Sequence, residues 1–80
     1  MQKTAEIRGR NLIGPRLRQI RLAQKPEVTL EDLAGRLAAR GVRLDRSAIG
    51  RIENSNRYVL DYELKALADS LKTPLDAFFR

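Results

Sequence analysis

The chain has 80 residues, which is enough for one small hydrophobic core and too few for two. It contains no cysteine and no histidine, which excludes disulfides, thiolate metal sites and the usual general base of catalysis at neutral pH. Sixteen Lys and Arg against ten Asp and Glu give a net charge of +6. We expect a soluble, cytoplasmic protein, because no apolar run has the length of a membrane span or of a secretory signal.

The basic side chains are concentrated in the first two-thirds of the chain. Residues 1–57 carry 13 basic and 6 acidic side chains, whereas residues 58–80 carry 3 basic and 4 acidic ones. Most of the cations are Arg, the residue preferred where planar contacts with phosphate matter. The uneven distribution favours a face that binds a polyanion, and the alternative is a solvated basic surface without a partner.

The polar start of the chain predicts a flexible, basic N-terminal arm over residues 1–10, followed by one domain over 11–80. A first helix is expected over 11–24, with Asn11 as its N-cap, because apolar residues recur there at helical spacing: Ile13, Leu17 and Ile20. Pro26 disfavours helical backbone at the residue before it and so ends this element.

The second helix has clear signals at both ends. Thr29 and Asp32 have the spacing of a capping box, and Val28 with Leu33 has the spacing of a hydrophobic staple. Gly41 is a natural residue for the left-handed position that ends a helix.

Three further helices are expected in the rest of the chain. Asp45 caps a short third helix over 46–54, and a fourth helix covers about 61–71. Thr73 and Pro74 begin a last helix of one or two turns that directs Leu75 and Phe78 inward. The prediction is therefore an all-α fold of five short helices.

Several segments, in this order, resemble the lambda-type repressor and Cro family, also called the xenobiotic-response-element family of bacterial and phage regulators. The matching segments are residues 13–21, 29–34, 46–54 and 61–68, followed by 74–76. The resemblance implies a lambda-repressor-like helix-turn-helix domain. Its turn is longer than the compact turn typical of the family, with the extra residues somewhere in 39–43.

The resemblance also implies a role for individual residues. The third helix would enter the major groove, which accepts one α-helix, and face the bases with Arg46, Ser47, Gly50 and Arg51. The residues expected to contact the DNA backbone are Arg21, Thr29, Asn54, Asn56 and Arg57. Arg21 is also expected to form a structural ion pair with Glu53 and so to join the first helix to the third.

These features predict a sequence-specific regulator of transcription, a repressor, that binds double-stranded DNA in the cytoplasm at the nucleoid. The alternative is a helix-turn-helix module that binds protein, such as an antitoxin or a phage-encoded adaptor, since fold alone does not settle function. RNA binding is a weaker reading because few aromatic residues are present for base stacking. No enzymatic activity, metal, cofactor or small-molecule ligand is expected.

We further expect a homodimer. One short helix reads only about 3–5 base pairs, so two copies on a near-palindrome are needed for useful selectivity. Phe79 is the predicted contact between the copies, because Phe78 shares the inward stripe of Leu75 and its neighbour then faces outward.

Overall fold

The computed structural model describes residues 9–80, which contain four α-helices and no strand. The helices are α1 (Gly14–Ala23), α2 (Leu30–Ala39), α3 (Arg46–Glu53) and α4 (Asp61–Ser70), and a short 3₁₀ helix covers Leu75–Phe79. None of the helices in this part of the chain combines the length and the apolar character needed to cross a bilayer.

The predicted fifth helix is therefore wrong in type, since Leu75–Phe79 forms a single 3₁₀ segment of five residues. So short a segment packs against α1 and α4 through only part of its length, which suits the 3₁₀ form. Ala77 and Phe78 reach the core, whereas Leu75, predicted to point inward, leaves 47% of its surface exposed.

Most of the predicted N-terminal arm, residues 1–8, lies outside the described residues. Gly9 and Arg10 lie against the loop that follows α3. The backbone N–H of Arg10 donates to the carbonyl oxygen of Ser55 at 2.7 Å, and its guanidinium carbon lies 5.8 Å from the centre of the Tyr58 ring.

The helix ends follow the local sequence signals closely. The Thr29 hydroxyl accepts from the N–H of Asp32, whose carboxylate accepts from the N–H of Thr29, so the predicted capping box is present. Asp45 accepts from the N–H of Ala48 and caps α3. Gly41, just after α2, has a φ of +80°, which glycine adopts without the steric cost that a Cβ adds.

One core lies between the four α-helices and the 3₁₀ helix. Its largest fully buried side chains are Leu17, Leu33, Leu37, Ile49, Ile52, Leu67, Leu71 and Phe78. The connection from α2 to α3 contributes Leu44, which is buried, and Val42, which is partly buried against the core. The connection thus fixes α3 on α2 by burial of apolar surface, and α3 also packs against α1.

Candidate nucleic-acid interface

The helix α3 has one buried and one exposed side. Ile49 and Ile52 are fully buried, and Ala48 and Glu53 are nearly so. The four residues predicted to face DNA bases occupy the opposite side. Three of them, Arg46, Ser47 and Arg51, are exposed, and the fourth, Gly50, is partly exposed.

The guanidinium groups of the two exposed arginines of α3 make no hydrogen bond or ion pair with any other residue in the described part of the chain. Arg46 stands at the start of the helix and Arg51 one and a half turns later. Their guanidinium groups are therefore open to an external acceptor, such as a phosphate or the O6 and N7 atoms of guanine.

Gly50 lies in the middle of α3, where a glycine destabilises a helix relative to alanine. A Cβ placed on it would have no atom of the described structure within 4 Å. The protein's own packing therefore does not require glycine at this position. What glycine provides here is a flat outer surface, over which another molecule can approach the backbone.

The predicted pair of Arg21 and Glu53 is present and buried. Nε and Nη2 of Arg21 donate to the two carboxylate oxygens of Glu53 at 2.7 and 3.0 Å, and Nη1 donates to the carbonyl oxygen of Val28 at 2.8 Å. The hydrogen bond with Glu53 raises the pKa of Arg21, against the opposing effect of its burial. Arg21 thus connects α1, α3 and the segment before α2, and only 9% of its side chain is exposed.

Thr29, predicted to contact the DNA backbone, is exposed at the start of α2. Hydrogen bonds from the backbone N–H of Thr29, and with its side chain, lower the pKa of Asp32. Thr29 and Arg46 line the same shallow depression. Two acidic residues, Glu27 and Glu31, line it as well, and they reduce the positive potential beside Arg46.

The loop after α3 contains the other predicted backbone contacts. Asn54 and Asn56 are exposed. Arg57 is instead bound to the protein: its Nη1 and Nη2 donate to the carboxylate of Glu63 at 2.9 and 3.2 Å, and Nη1 also donates to the carbonyl oxygen of Tyr58. The side chain of Arg57 keeps 28% of its surface exposed.

Glu63 is a residue whose role the sequence analysis did not find. Burial raises the pKa of its carboxyl group, but hydrogen bonds from Arg57 and from the backbone N–H of Leu60 outweigh this effect and lower it. The bond from Leu60 places Glu63 in a capping position of α4. An acidic residue three positions after Leu60, the residue that precedes the helix, was the signal available for this contact.

Asn11 was predicted as the N-cap of the first helix, but α1 begins at Gly14 with Ile13 at the N-cap position, so this prediction is wrong. The contacts that Asn11 and Gly14 make with the end of α3 and the loop after it were not predicted. The side-chain amide of Asn11 donates to the carbonyl oxygens of Ile52 at 3.1 Å and Arg57 at 2.8 Å, while its own oxygen accepts from the N–H of Gly14. A Cβ on Gly14 would collide with the carbonyl oxygen of Ile52. The start of α1 therefore holds the end of α3 and the loop behind it.

Comparison of the chain with models of protein families, with curated proteins and with solved structures gives no match.

The candidate residues thus fall into two groups, one exposed to solvent and one bound within the fold. The outer side of α3, the start of α2 and the loop after α3 present Arg46, Ser47, Gly50, Arg51, Thr29, Asn54 and Asn56 to solvent. Arg21 and Arg57 are bound to buried glutamates and belong mainly to the framework that holds α3 in place.

Proposed function

We propose that the protein is a sequence-specific regulator of transcription, a repressor, that binds double-stranded DNA in the cytoplasm and reads the major groove with α3. The observation that carries this proposal is the division of α3 into a buried side and an outer side with two arginines that bind nothing else in residues 9–80. A helix fits into the major groove, and arginine pairs with guanine through two parallel hydrogen bonds.

In this proposal α2 and α3 form a helix-turn-helix of the lambda-repressor type with a lengthened turn. Several features support it: α3 packs on α2 and on α1, the Leu44 side chain fills the longer connection, and Arg21 pairs with Glu53 as the resemblance implies. Thr29, Asn54 and Asn56 would contact phosphates. Arg57 would reach a phosphate only with the part of its side chain that is exposed, and Arg21 would act by positioning α3.

The proposed complex contains two copies on a near-palindromic site, each with its α3 in one half-site. Half-sites about 34 Å apart place both helices on the same side of the duplex, one helical turn from each other. The assignment of Phe79 to a contact between the copies stays a prediction.

A selection of bound sequences from random duplex DNA, followed by a gel-shift assay with the selected and a scrambled duplex, tests this function. We expect a clear preference for the selected site and a steep loss of affinity as salt rises, because phosphate contacts release counterions. Two variants distinguish a contribution of the outer side of α3 to DNA affinity from a contribution of net positive charge. Arg46→Ala should weaken binding, whereas Lys65→Ala, which removes an exposed cation from α4, should leave it nearly unchanged.

The alternative function, a module that binds only protein, makes the opposite prediction. Such a protein would bind neither the random duplex nor heparin at low salt, despite its net charge of +6. That result would exclude DNA regulation by this chain.

A further inference from the structure

Away from the outer side of α3, two shallow grooves meet at a pair of exposed apolar side chains, Leu12 and Phe79. One groove lies between α1 and the 3₁₀ helix, with the buried Phe78 among its lining residues, and the other lies beside Tyr58. Leu12, Phe79 and Tyr58 leave 59%, 57% and 68% of their surface exposed. Adjoining exposed apolar groups of this kind mark an interaction surface more often than isolated ones do.

Arginines surround these apolar groups. Arg16 and Arg80 line the first groove and Arg10 lines the second, while no acidic residue of the described part of the chain lines either one. Arg80 does pair with the nearby Asp76 at 2.9 Å, but both side chains are exposed, so the pair contributes little and a ligand carboxylate can replace it. Arg10 also donates to Asn56 at 3.4 Å, which leaves other N–H donors of its guanidinium unused. Arg16 is held in place, because its Nε donates to the carbonyl oxygen of Ala77 at 2.9 Å and its Nη1 to the side chain of Gln19. A guanidinium has more N–H donors than these two bonds use, so oriented donors remain at the rim.

We propose that this surface, the Leu12–Phe79 surface, binds an acidic amphipathic segment of another protein. The apolar side chains of the segment occupy the two grooves beside Leu12 and Phe79. Its carboxylates pair with the guanidinium groups of Arg10, Arg16 and Arg80. Apolar and aromatic centres with arginine at the edge are typical of protein interfaces, and complementary charge selects the partner.

Two other occupants of this surface, a second copy of the chain and a nucleic acid, are disfavoured. A second copy in a two-fold contact would present the same patch, so that the arginines of each copy would approach those of the other. The acidic partner and the predicted contact between copies are therefore competing occupants of the surface at Phe79, and the sedimentation experiment below distinguishes them. Nucleic acid gains nothing from an exposed leucine and phenylalanine, which cannot donate a hydrogen bond to phosphate.

The test uses the full chain and a synthetic amphipathic peptide with leucines on one helical face and glutamates beside them. A second peptide of the same length carries lysines in place of the glutamates. We expect the acidic peptide to shift the backbone amide signals of Leu12, Arg16 and Phe79 in NMR spectra. By fluorescence anisotropy it should bind about tenfold or more tightly than the lysine peptide.

Three variants locate the site. Phe79→Ser and Leu12→Ser should each weaken binding of the acidic peptide by about tenfold, since apolar groups at the centre of an interface carry much of its affinity. Both side chains are more than half exposed, so the fold should survive, as circular dichroism would verify. Leu75→Ser is the matched control: Leu75 is exposed on the same 3₁₀ helix, lines neither groove and should leave the affinity unchanged.

Equal binding of the acidic and lysine peptides, or amide shifts confined to other surfaces, would overturn the proposal. It would also be overturned if sedimentation showed self-association of the free protein that Phe79→Ser abolishes, because the surface would then be occupied by a second copy. None of these outcomes depends on DNA binding, so this proposal and the proposed function can fail separately.

Discussion

Arginines on the two sides of α3 have opposite environments. On the inner side, Arg21 makes three hydrogen bonds to Glu53 and Val28 and is almost completely buried. On the outer side, Arg46 and Arg51 are exposed, and their guanidinium groups have no polar partner within residues 9–80. Burial and partners, not residue type, therefore decide whether an arginine of this protein holds the fold or is available to a ligand.

The difference separates stability from binding. An inner arginine or its partner cannot be removed without leaving the other charge in the interior, which is costly. Removal of an outer arginine leaves no buried charge without a partner, because its side chain is already exposed to solvent. Substitutions on the inner side should therefore change mainly the free energy of unfolding, and substitutions on the outer side mainly the affinity for DNA.

Glu53→Ala should have the largest effect. It leaves the guanidinium of Arg21 buried without its carboxylate, and breaking a buried pair from one side costs about 3–5 kcal/mol of stability. Thermal and denaturant unfolding of Glu53→Ala, Arg21→Ala and the double variant measure the coupling. Asp69→Ala, which breaks the exposed pair with Lys65, is the control and should cost less than about 1 kcal/mol. Strictly additive losses for Glu53 and Arg21 would contradict the assignment.

Arg51→Ala should act on binding and leave the unfolding free energy unchanged. If Arg51 pairs with a base, affinity for the selected duplex falls by about 1–3 kcal/mol, and affinity for random duplex falls less. Gel-shift titrations with both duplexes provide the comparison. Equal losses on the two duplexes would instead assign Arg51 to a phosphate.

Glu63 makes the stability depend on pH. Its pKa lies below the ordinary value in the folded protein, so the folded state holds the proton less tightly than the unfolded state does. The stabilisation by its carboxylate is complete above the unfolded value, near pH 4.5, and is lost as the pH falls through the lower folded value.

Glu63→Gln should remove this part of the pH dependence, which we expect to amount to about 1–2 kcal/mol because the partner Arg57 is partly exposed. Denaturant unfolding of both proteins between about pH 6 and pH 2 measures it. If the unfolding free energies of the two proteins differ by the same amount at every pH in this range, Glu63 does not contribute to the pH dependence.

Gly50→Ala should have a small effect on stability, opposite in sign to that of Glu53→Ala. It should stabilise α3 by about 0.5–1 kcal/mol, because alanine is the better helix former and the methyl group has open space around it. Affinity for DNA should nevertheless fall, since the methyl group occupies the outer surface. Gly35→Ala in α2 is the matched control: its Cβ also meets nothing within 4 Å, so it should stabilise the protein without changing DNA binding. Undiminished binding by Gly50→Ala would contradict the close approach.

Helix ends and the two sides of α3 could be predicted from sequence because their causes are local. Thr29 and Asp32 bond to each other across three residues, and Gly41 needs only its own backbone freedom. Ile49 and Ile52 lie three residues apart and define the inner side of α3 by themselves.

What could not be predicted depends on segments far apart in the chain. The amide of Asn11 reaches carbonyl oxygens more than forty residues later, which helical spacing alone does not show. Leu60 has the helical spacing of the buried residues of α4 and is nevertheless half exposed, because it precedes the first turn of that helix. The predicted inward position of Leu75 is wrong for a similar reason, since Leu75 is the first residue of a single 3₁₀ segment.

The division of α3 into a buried and an exposed side determines which of its positions can change without loss of the fold. Mutations at Arg46, Ser47, Gly50 and Arg51 change the outer side of α3, whereas the core residues Ile49 and Ile52 are untouched. Under the proposed function, substitutions at these four positions would change target preference more than they change folding. A combinatorial library built there could be sorted for new target preferences without prior sorting for soluble expression.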